Sequence, residues 1–243
     1  MTPEYFYSSD APYVGLYSVE HILYLIFCFV AIFLFVKYHG FVRKNRDTIG
    51  KIMLGIILFQ QVFLMYGWYI FCTDLELKEG LPLYICRISS LLSIWYLIRK
   101  DNRVMDVIFY FSIYALISLF YPMSVYHFLH VNGISYTVNH LMTVLIPIFG
   151  AIAYGWKPGW KAFLRASIAF TVYLPVVIVA NALTGGNYFY LVDRPFFHDM
   201  PALLFDSLAY IVTIAGFALV TWLVEVIVKL VQKRMAERNS AQV

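Results

Sequence analysis

Charge is the scarcest property of this sequence: only 13% of its 243 residues are charged, whereas 62% are apolar. An ordinary water-soluble domain is excluded, because about a quarter of the residues in such a domain carry charge. The sequence also lacks low-complexity segments and convincing internal repeats. We therefore expect a polytopic membrane protein that forms one domain over residues 1–243.

Other absences narrow the interpretation further. Only three cysteines occur, Cys28, Cys72 and Cys86, too few for a disulfide-stapled scaffold. No lysine or arginine precedes the first apolar run, so the N-terminus does not resemble a cleavable signal peptide. We expect the first helix to be retained.

Apolar stretches long enough, or nearly so, to cross ~30 Å of hydrocarbon occur seven times. The sequence predicts an all-α bundle of seven transmembrane helices at residues 17–36, 49–71, 81–98, 104–122, 138–155, 163–184 and 207–230.

The cations predict the orientation of this bundle, since cytoplasmic loops accumulate lysine and arginine. Fifteen of the eighteen fall in residues 37–51, 99–103, 157–165 and 229–238, which lie on one side if seven spans are present. We expect the N-terminus outside and the C-terminus inside. The net charge of +4 then reflects topology, and no nucleic-acid partner is expected.

Polar residues cluster at the outer ends of the predicted helices, and the inner halves hold almost nothing comparable. Ionisable groups at membrane depth are costly, so such a cluster predicts a functional site. Its members are Glu20, His21, Cys86, Arg87, Ser89, Ser90, His127, His130, Asn139, His140, Asn181, Asn187, Asp193 and Arg194.

Cys86 and His140 fall at similar predicted depths, ~7 and ~6 Å below the outer boundary. A thiol becomes nucleophilic near a helix N-terminus, a cation such as Arg87 and a histidine that takes its proton. At that depth Cys86 could attack a lipid ester, giving an acyl thioester and a lysolipid.

Structural alternatives stay open at this stage. The face formed by Pro82, Cys86, Ser89 and Ser93 could serve only close helix packing. A disulfide between Cys72 and Cys86 would remove the nucleophile. Arg87 could bind a lipid phosphate or form an ion pair with Glu20 or Asp193.

The run LPLYICRIS at residues 81–89 resembles the LPLHLC-type signature of the YwaF-like bacterial membrane proteins. These resemble eukaryotic transmembrane protein 164, a cysteine-dependent acyltransferase for ether phospholipids. Three further segments are similar to that family: SVEH at 18–21, TVNHLM at 137–142 and GGNYFYLVDRP at 185–195. Tyr84 departs from the pattern, because it stands where a histidine is expected.

The resemblance implies acyl transfer between lipids, with Cys86 as nucleophile and His140 as base. We expect Arg87, with Asn139 or Ser90, to hold the phosphate or the developing oxyanion. The predicted substrate-positioning residues are His21, Asn187, Tyr188 and Arg194. The expected partners are membrane phospholipids and lysophospholipids, at a plasma-membrane site facing the extracytoplasmic leaflet, with no cofactor or metal.

Other functions remain as alternatives. A zinc-dependent lipid hydrolase would take ligands from His21, His127, His130 and His140. Androgen-induced hydrolases, to which the architecture is distantly similar, use threonine and histidine, and Thr137 and Thr143 lie near His140. A seven-helix transporter or lipid receptor would need no chemistry.

Overall fold

The computed structural model describes residues 6–8, 10–67 and 77–240, which are predominantly helical. Within them the only β pairing is an isolated bridge between Tyr13 and Tyr126. A π-helical segment, Gln60–Tyr66, continues α3, and a short 3-10 turn covers Tyr188–Tyr190. The helices are α1 Val19–Lys37, α2 His39–Lys44, α3 Arg46–Phe59, α4 Leu77–Gly80, α5 Ile85–Arg99, α6 Asn102–Phe120, α7 Val131–Tyr154, α8 Trp160–Thr184 and α9 Ala202–Ser240.

Six helices among these residues are long and apolar enough to cross a membrane: α1, α3 with its π-helical continuation, α6, α7, α8 and α9. This confirms an all-helical, multi-pass membrane protein. The predicted span at 81–98 differs, because α5 has only 15 residues and is ~22 Å long. Residues 81–84, which include Pro82, form turns and bends before it.

Helix α7 begins at Val131, seven residues before the predicted start at 138. Half of the predicted outer loop 123–137 is therefore helical. The Nδ1 atom of His130 accepts the Asn132 N–H at 3.1 Å and caps the helix. Polar residues in the first turns of α7 hid this start, since they pack inside the bundle and not in a solvated loop.

The centre of the bundle is formed by α6 and α7. Helix α6 packs on α5, α7 and α8, and α7 also contacts α1, α2 and the π-helical segment. In the most apolar 18-residue stretch of each helix, 61% of the residues are buried in α7, against 17% in α1 and in α9. The outer helices therefore present most of their apolar surface to lipid.

Helices α5 and α7 run parallel. The Ser90 hydroxyl bonds to Asn139 near the start of α5, and the Lys100 ammonium lies 5.4 Å from the Tyr154 ring at its end. Asn139 is eight residues into α7 and its partner Ser90 is five residues into α5, so α5 starts only ~5 Å along its neighbour. Residues 81–84 extend over the remaining depth in a non-helical conformation. Non-helical backbone is tolerated at membrane depth where it is buried in protein.

Candidate functional site

Cys86 is the second residue of α5, and its side chain is partly accessible. The backbone N–H groups of Cys86 and Arg87 lie within reach of the sulfur, and the positive end of a helix favours negative charge there. Cys86 is a free thiol, whereas Cys28 is free but wholly buried. Cys72, the predicted disulfide rival, lies outside the described residues.

Asn139 on α7 is the side chain that contacts the sulfur of Cys86. Its Oδ1 accepts a short hydrogen bond from the Ser90 hydroxyl, which leaves the Nδ2–H group of the amide available on the side of the thiol. All the polar atoms of this contact are supplied by α5 and α7. The two predicted oxyanion residues, Ser90 and Asn139, are thus brought to Cys86.

His140 follows Asn139 and is almost wholly buried. Its Nδ1 donates to the Tyr136 carbonyl oxygen at 2.7 Å, which leaves Nε2 as the ring nitrogen with a free lone pair. Among the described residues, His140 and Cys86 share no hydrogen bond. Arg87 lies close enough to act electrostatically on both.

Aromatic side chains pack around the start of α5. The Arg87 guanidinium lies 5.1 Å from the centroid of the Tyr84 ring, and this ring contacts Tyr188 at 5.2 Å. The Tyr188 hydroxyl accepts the Leu81 N–H at 2.9 Å and fixes the turn at 81–84. Tyr84 and Tyr188 therefore fix the turn that precedes Cys86.

Tyr173 of α8 is a member of this neighbourhood that sequence reasoning missed. Its hydroxyl donates to the Leu83 carbonyl oxygen at 2.9 Å, and it lies close enough to Cys86 to interact electrostatically. It sits in an apolar run of α8, so only its hydroxyl distinguished it in the sequence. With Tyr188 it anchors the turn at 81–84 from two sides.

His21 is held by backbone groups and not by the Cys86 cluster. Its Nδ1 accepts the Tyr17 N–H at 3.0 Å, and its Nε2 donates to the Leu119 carbonyl oxygen at 2.8 Å. The Nε2 contact therefore joins α1 to the end of α6, and the Nδ1 contact holds the turn that precedes α1. Its predicted contact with substrate stays a prediction.

Asn187 and Arg194 organise the loop between α8 and α9. The Asn187 side chain bonds the backbone of Val192 and Asp193, at 2.8 to 3.0 Å. The Arg194 guanidinium donates to the Leu191 and Met200 carbonyl oxygens. Their predicted contacts with substrate also stay predictions. In the structure both side chains stabilise the conformation of this loop.

The other histidines at the Cys86 end of the bundle are dispersed. Glu20 accepts the Phe128 N–H at 2.7 Å and lies 3.4 Å from the His127 ring. It therefore pairs with His127 and not with Arg87. Within the described residues, no group of three or more His, Cys, Asp or Glu side chains could hold a metal, and the zinc alternative gains no support.

Thr137 and Thr143, the candidate threonine nucleophiles, are both engaged within α7. The Thr137 hydroxyl donates to the Gly133 carbonyl oxygen at 2.9 Å, and that of Thr143 donates to Asn139 at 2.8 Å. Both are the back-bonds usual for threonine in helices. Neither hydroxyl is directed at His140.

A second polar cluster, which the sequence analysis missed, lies at the opposite end of α6. The carboxylate of buried Asp106 accepts from Arg165 at 2.5 Å and from the Trp156 indole N–H at 2.9 Å. The expectation that polar groups gather almost wholly at one end of the helices overlooked this cluster. An acidic residue inside the apolar run VMDVIFYF was the available signal.

Comparison with protein-family models matches the TMEM164 family over residues 16–226. The chain belongs to the TMEM164 family. The match runs from before α1 into α9 and includes all the candidate site residues. The resemblance inferred from residues 81–89, 18–21, 137–142 and 185–195 is thereby confirmed. No curated protein and no solved structure matches the chain.

Membership of the TMEM164 family establishes a multi-pass membrane protein. The contact between Cys86 and Asn139 joins two of the segments that carry the resemblance, which lie 53 positions apart in the chain.

Proposed function

We propose that this TMEM164-family protein transfers a fatty acyl chain between lipids through a thioester on Cys86. The single observation that carries the proposal is the state of this thiol: it is free, partly accessible, at a helix N-terminus and held by the Asn139 amide. Cys28 has none of these surroundings, since it is wholly buried in the apolar core.

In the first half-reaction, His140 Nε2 takes the thiol proton and the Cys86 sulfur attacks the ester carbonyl carbon of a phospholipid. The C–O bond breaks, and the leaving lysolipid oxygen collects the proton from His140. In the second, the hydroxyl of an acceptor lipid gives its proton to His140 and attacks the thioester, which frees the thiol. Hydrogen bonds of ligand-free sites are often long, so the separation of Cys86 from His140 is compatible with this order.

The developing oxyanion would lie near the Asn139 Nδ2–H group and the first N–H groups of α5. Arg87 would bind the phosphate of the donor. Tyr84, Tyr188 and Tyr173 pack at the turn before Cys86, and a site poor in water there would favour transfer over hydrolysis. The donors and acceptors would be membrane phospholipids and lysophospholipids.

We propose seven crossings, with the N-terminus outside and the site facing the outer leaflet of the plasma membrane. Helices α5 and α7 are parallel, and α6 runs in the opposite direction between them. This supports counting α5 and α7 as the third and fifth crossings. The turn at 81–84 together with α5 then makes the third crossing. The lopsided distribution of lysine and arginine supports the orientation.

The test is intact mass spectrometry of the purified protein after incubation with a mixed-chain phospholipid in nanodiscs. We expect a fatty-acyl mass on the wild type, labile to hydroxylamine, absent in Cys86→Ala and much slower to appear in His140→Ala. Cys28→Ala is the matched control and should acylate normally. A wild type without an adduct, or an adduct that survives Cys86→Ala, would refute the thioester and favour a lipid-binding function without chemistry.

A further inference from the structure

A cavity of about 480 Å³ opens far from Cys86, between the end of α7 and the starts of α6 and α8. Its wall includes Gly155, sixteen residues or ~24 Å along the chain direction of α7 from Asn139. It therefore belongs to the opposite end of the bundle. We call it the cationic cavity; the residues used in the argument are Asp106, Trp156, Lys157, Trp160, Lys161 and Arg165.

Positive charge predominates in the cationic cavity. Both oxygens of its carboxylate, Asp106, are already occupied by Trp156 and Arg165. Lys157 and Lys161 are exposed, and neither forms an ion pair with any part of the chain that the structure describes. Two ammonium groups are thus left to face an anion.

The backbone adds to this charge, because α8 starts at Trp160 on the edge of the cavity. Its N-cap is Gly159, which has no side chain to satisfy the first N–H groups of the helix. Free N–H groups at the positive end of a 25-residue helix suit a phosphate oxygen. The Asp106 pairs with Trp156 and Arg165 hold this helix end against α6.

An apolar path leads away from the cavity. Trp160, Leu164 and Ile168 follow one another at intervals of four on α8 and are 49%, 58% and 56% exposed. They form one stripe along the helix, and tryptophan at such a point is typical of the membrane interface. A ligand with a phosphate and long hydrocarbon chains would match both features.

We propose that the cationic cavity binds the phosphate headgroup of an anionic glycerophospholipid, whose acyl chains lie along Trp160, Leu164 and Ile168. Lys157 and Lys161 contact the phosphate, and the first turn of α8 donates to it. The site is separate from Cys86 and does not depend on the proposed acyl transfer. Basic pockets between transmembrane helices commonly bind such lipids.

The test is native mass spectrometry of the full chain in detergent, titrated with dioleoyl-phosphatidylglycerol or dioleoyl-phosphatidylcholine. We expect the Lys157→Gln, Lys161→Gln double variant to bind phosphatidylglycerol about 30-fold more weakly. Each lysine contributes slightly more than about fivefold, and the two factors multiply. The Lys157→Arg, Lys161→Arg variant keeps the charge and should bind as the wild type does.

The matched control is Lys44→Gln with Lys51→Gln, which removes two exposed cations from the same end of the bundle outside the cavity. Equal losses in this control, or equal affinities for the two lipids, would overturn the proposal. Displacement of phosphatidylglycerol by an equal concentration of inorganic phosphate would show a site for the free anion and overturn the lipid assignment.

Discussion

The Asn139→Asp substitution tests whether the amide serves the chemistry at Cys86. Aspartate keeps the shape of the side chain and an oxygen for the Ser90 hydroxyl, but it replaces the Nδ2–H group that faces the sulfur with a second oxygen. Loss of one donor to a developing oxyanion costs about 2.7 to 4 kcal/mol, or about 10²- to 10³-fold in rate. We therefore expect acylation of Cys86 to slow by at least two orders of magnitude.

Ser90→Ala is the matched control for this substitution. It removes the other half of the same hydrogen bond but leaves the donor at the sulfur. The loss of an ordinary hydrogen bond costs about 1 kcal/mol, so a slowing of about fivefold is expected.

The assay follows the appearance of the acylated protein over time at saturating donor lipid, with the melting temperature of each variant measured alongside. If Asn139→Asp acylates at the wild-type rate, or if both variants slow equally, the amide only packs α5 on α7. The assignment of Asn139 to the oxyanion would then be refuted.

Two further predictions concern the bundle itself. Gly133→Ala should destabilise the protein by about 2 to 3 kcal/mol, because a Cβ would lie 2.1 Å from the His127 carbonyl oxygen. Thermal unfolding in detergent measures this, and Gly55→Ala, which meets nothing within 4 Å, should be neutral or stabilising. Reporters fused before residue 1 and after residue 243 should read opposite sides of the membrane, and the same side for both would refute seven crossings.

The sequence predicts those parts of the fold that hydrophobicity determines. Long apolar runs fix α1, α6 and α8 to within a few residues, because their lipid-facing surfaces must be apolar. The start of α7 was not predictable in this way, since Asn139 and its polar neighbours are buried against other helices. Hydropathy does not distinguish a buried polar face from a solvated loop.

The depth of the candidate site along the helices was predictable from the sequence, but its side-chain contacts were less so. Helix spacing brought Cys86 and residues 139–140 to a common depth, and the structure joins Cys86 to Asn139. The residue closest to the thiol by its contacts is thus the one before the predicted base, while the Nδ1 atom of His140 is held by the Tyr136 carbonyl oxygen. The contact of Tyr173 with Leu83 depends on where α8 packs in the bundle, and no local sequence pattern indicates that position.

The cluster at Asp106 shows a different limit. Its partners lie 50 and 59 positions away in the chain. Their pairing depends on how the end of α7 meets the start of α8. A lone acidic residue in an apolar run indicates that a partner must exist, since an unpaired buried charge is costly, but it does not name the partner.

The shortness of α5 has a consequence for how the chain is made. A 15-residue helix with three buried serines is poorly suited to enter the bilayer alone during synthesis. Its neighbour α6 follows after only two residues and has 19 apolar-rich residues of its own. The two therefore form a natural unit of insertion, and the helix that carries Cys86 reaches its place only when α6 and α7 are present to receive its polar face.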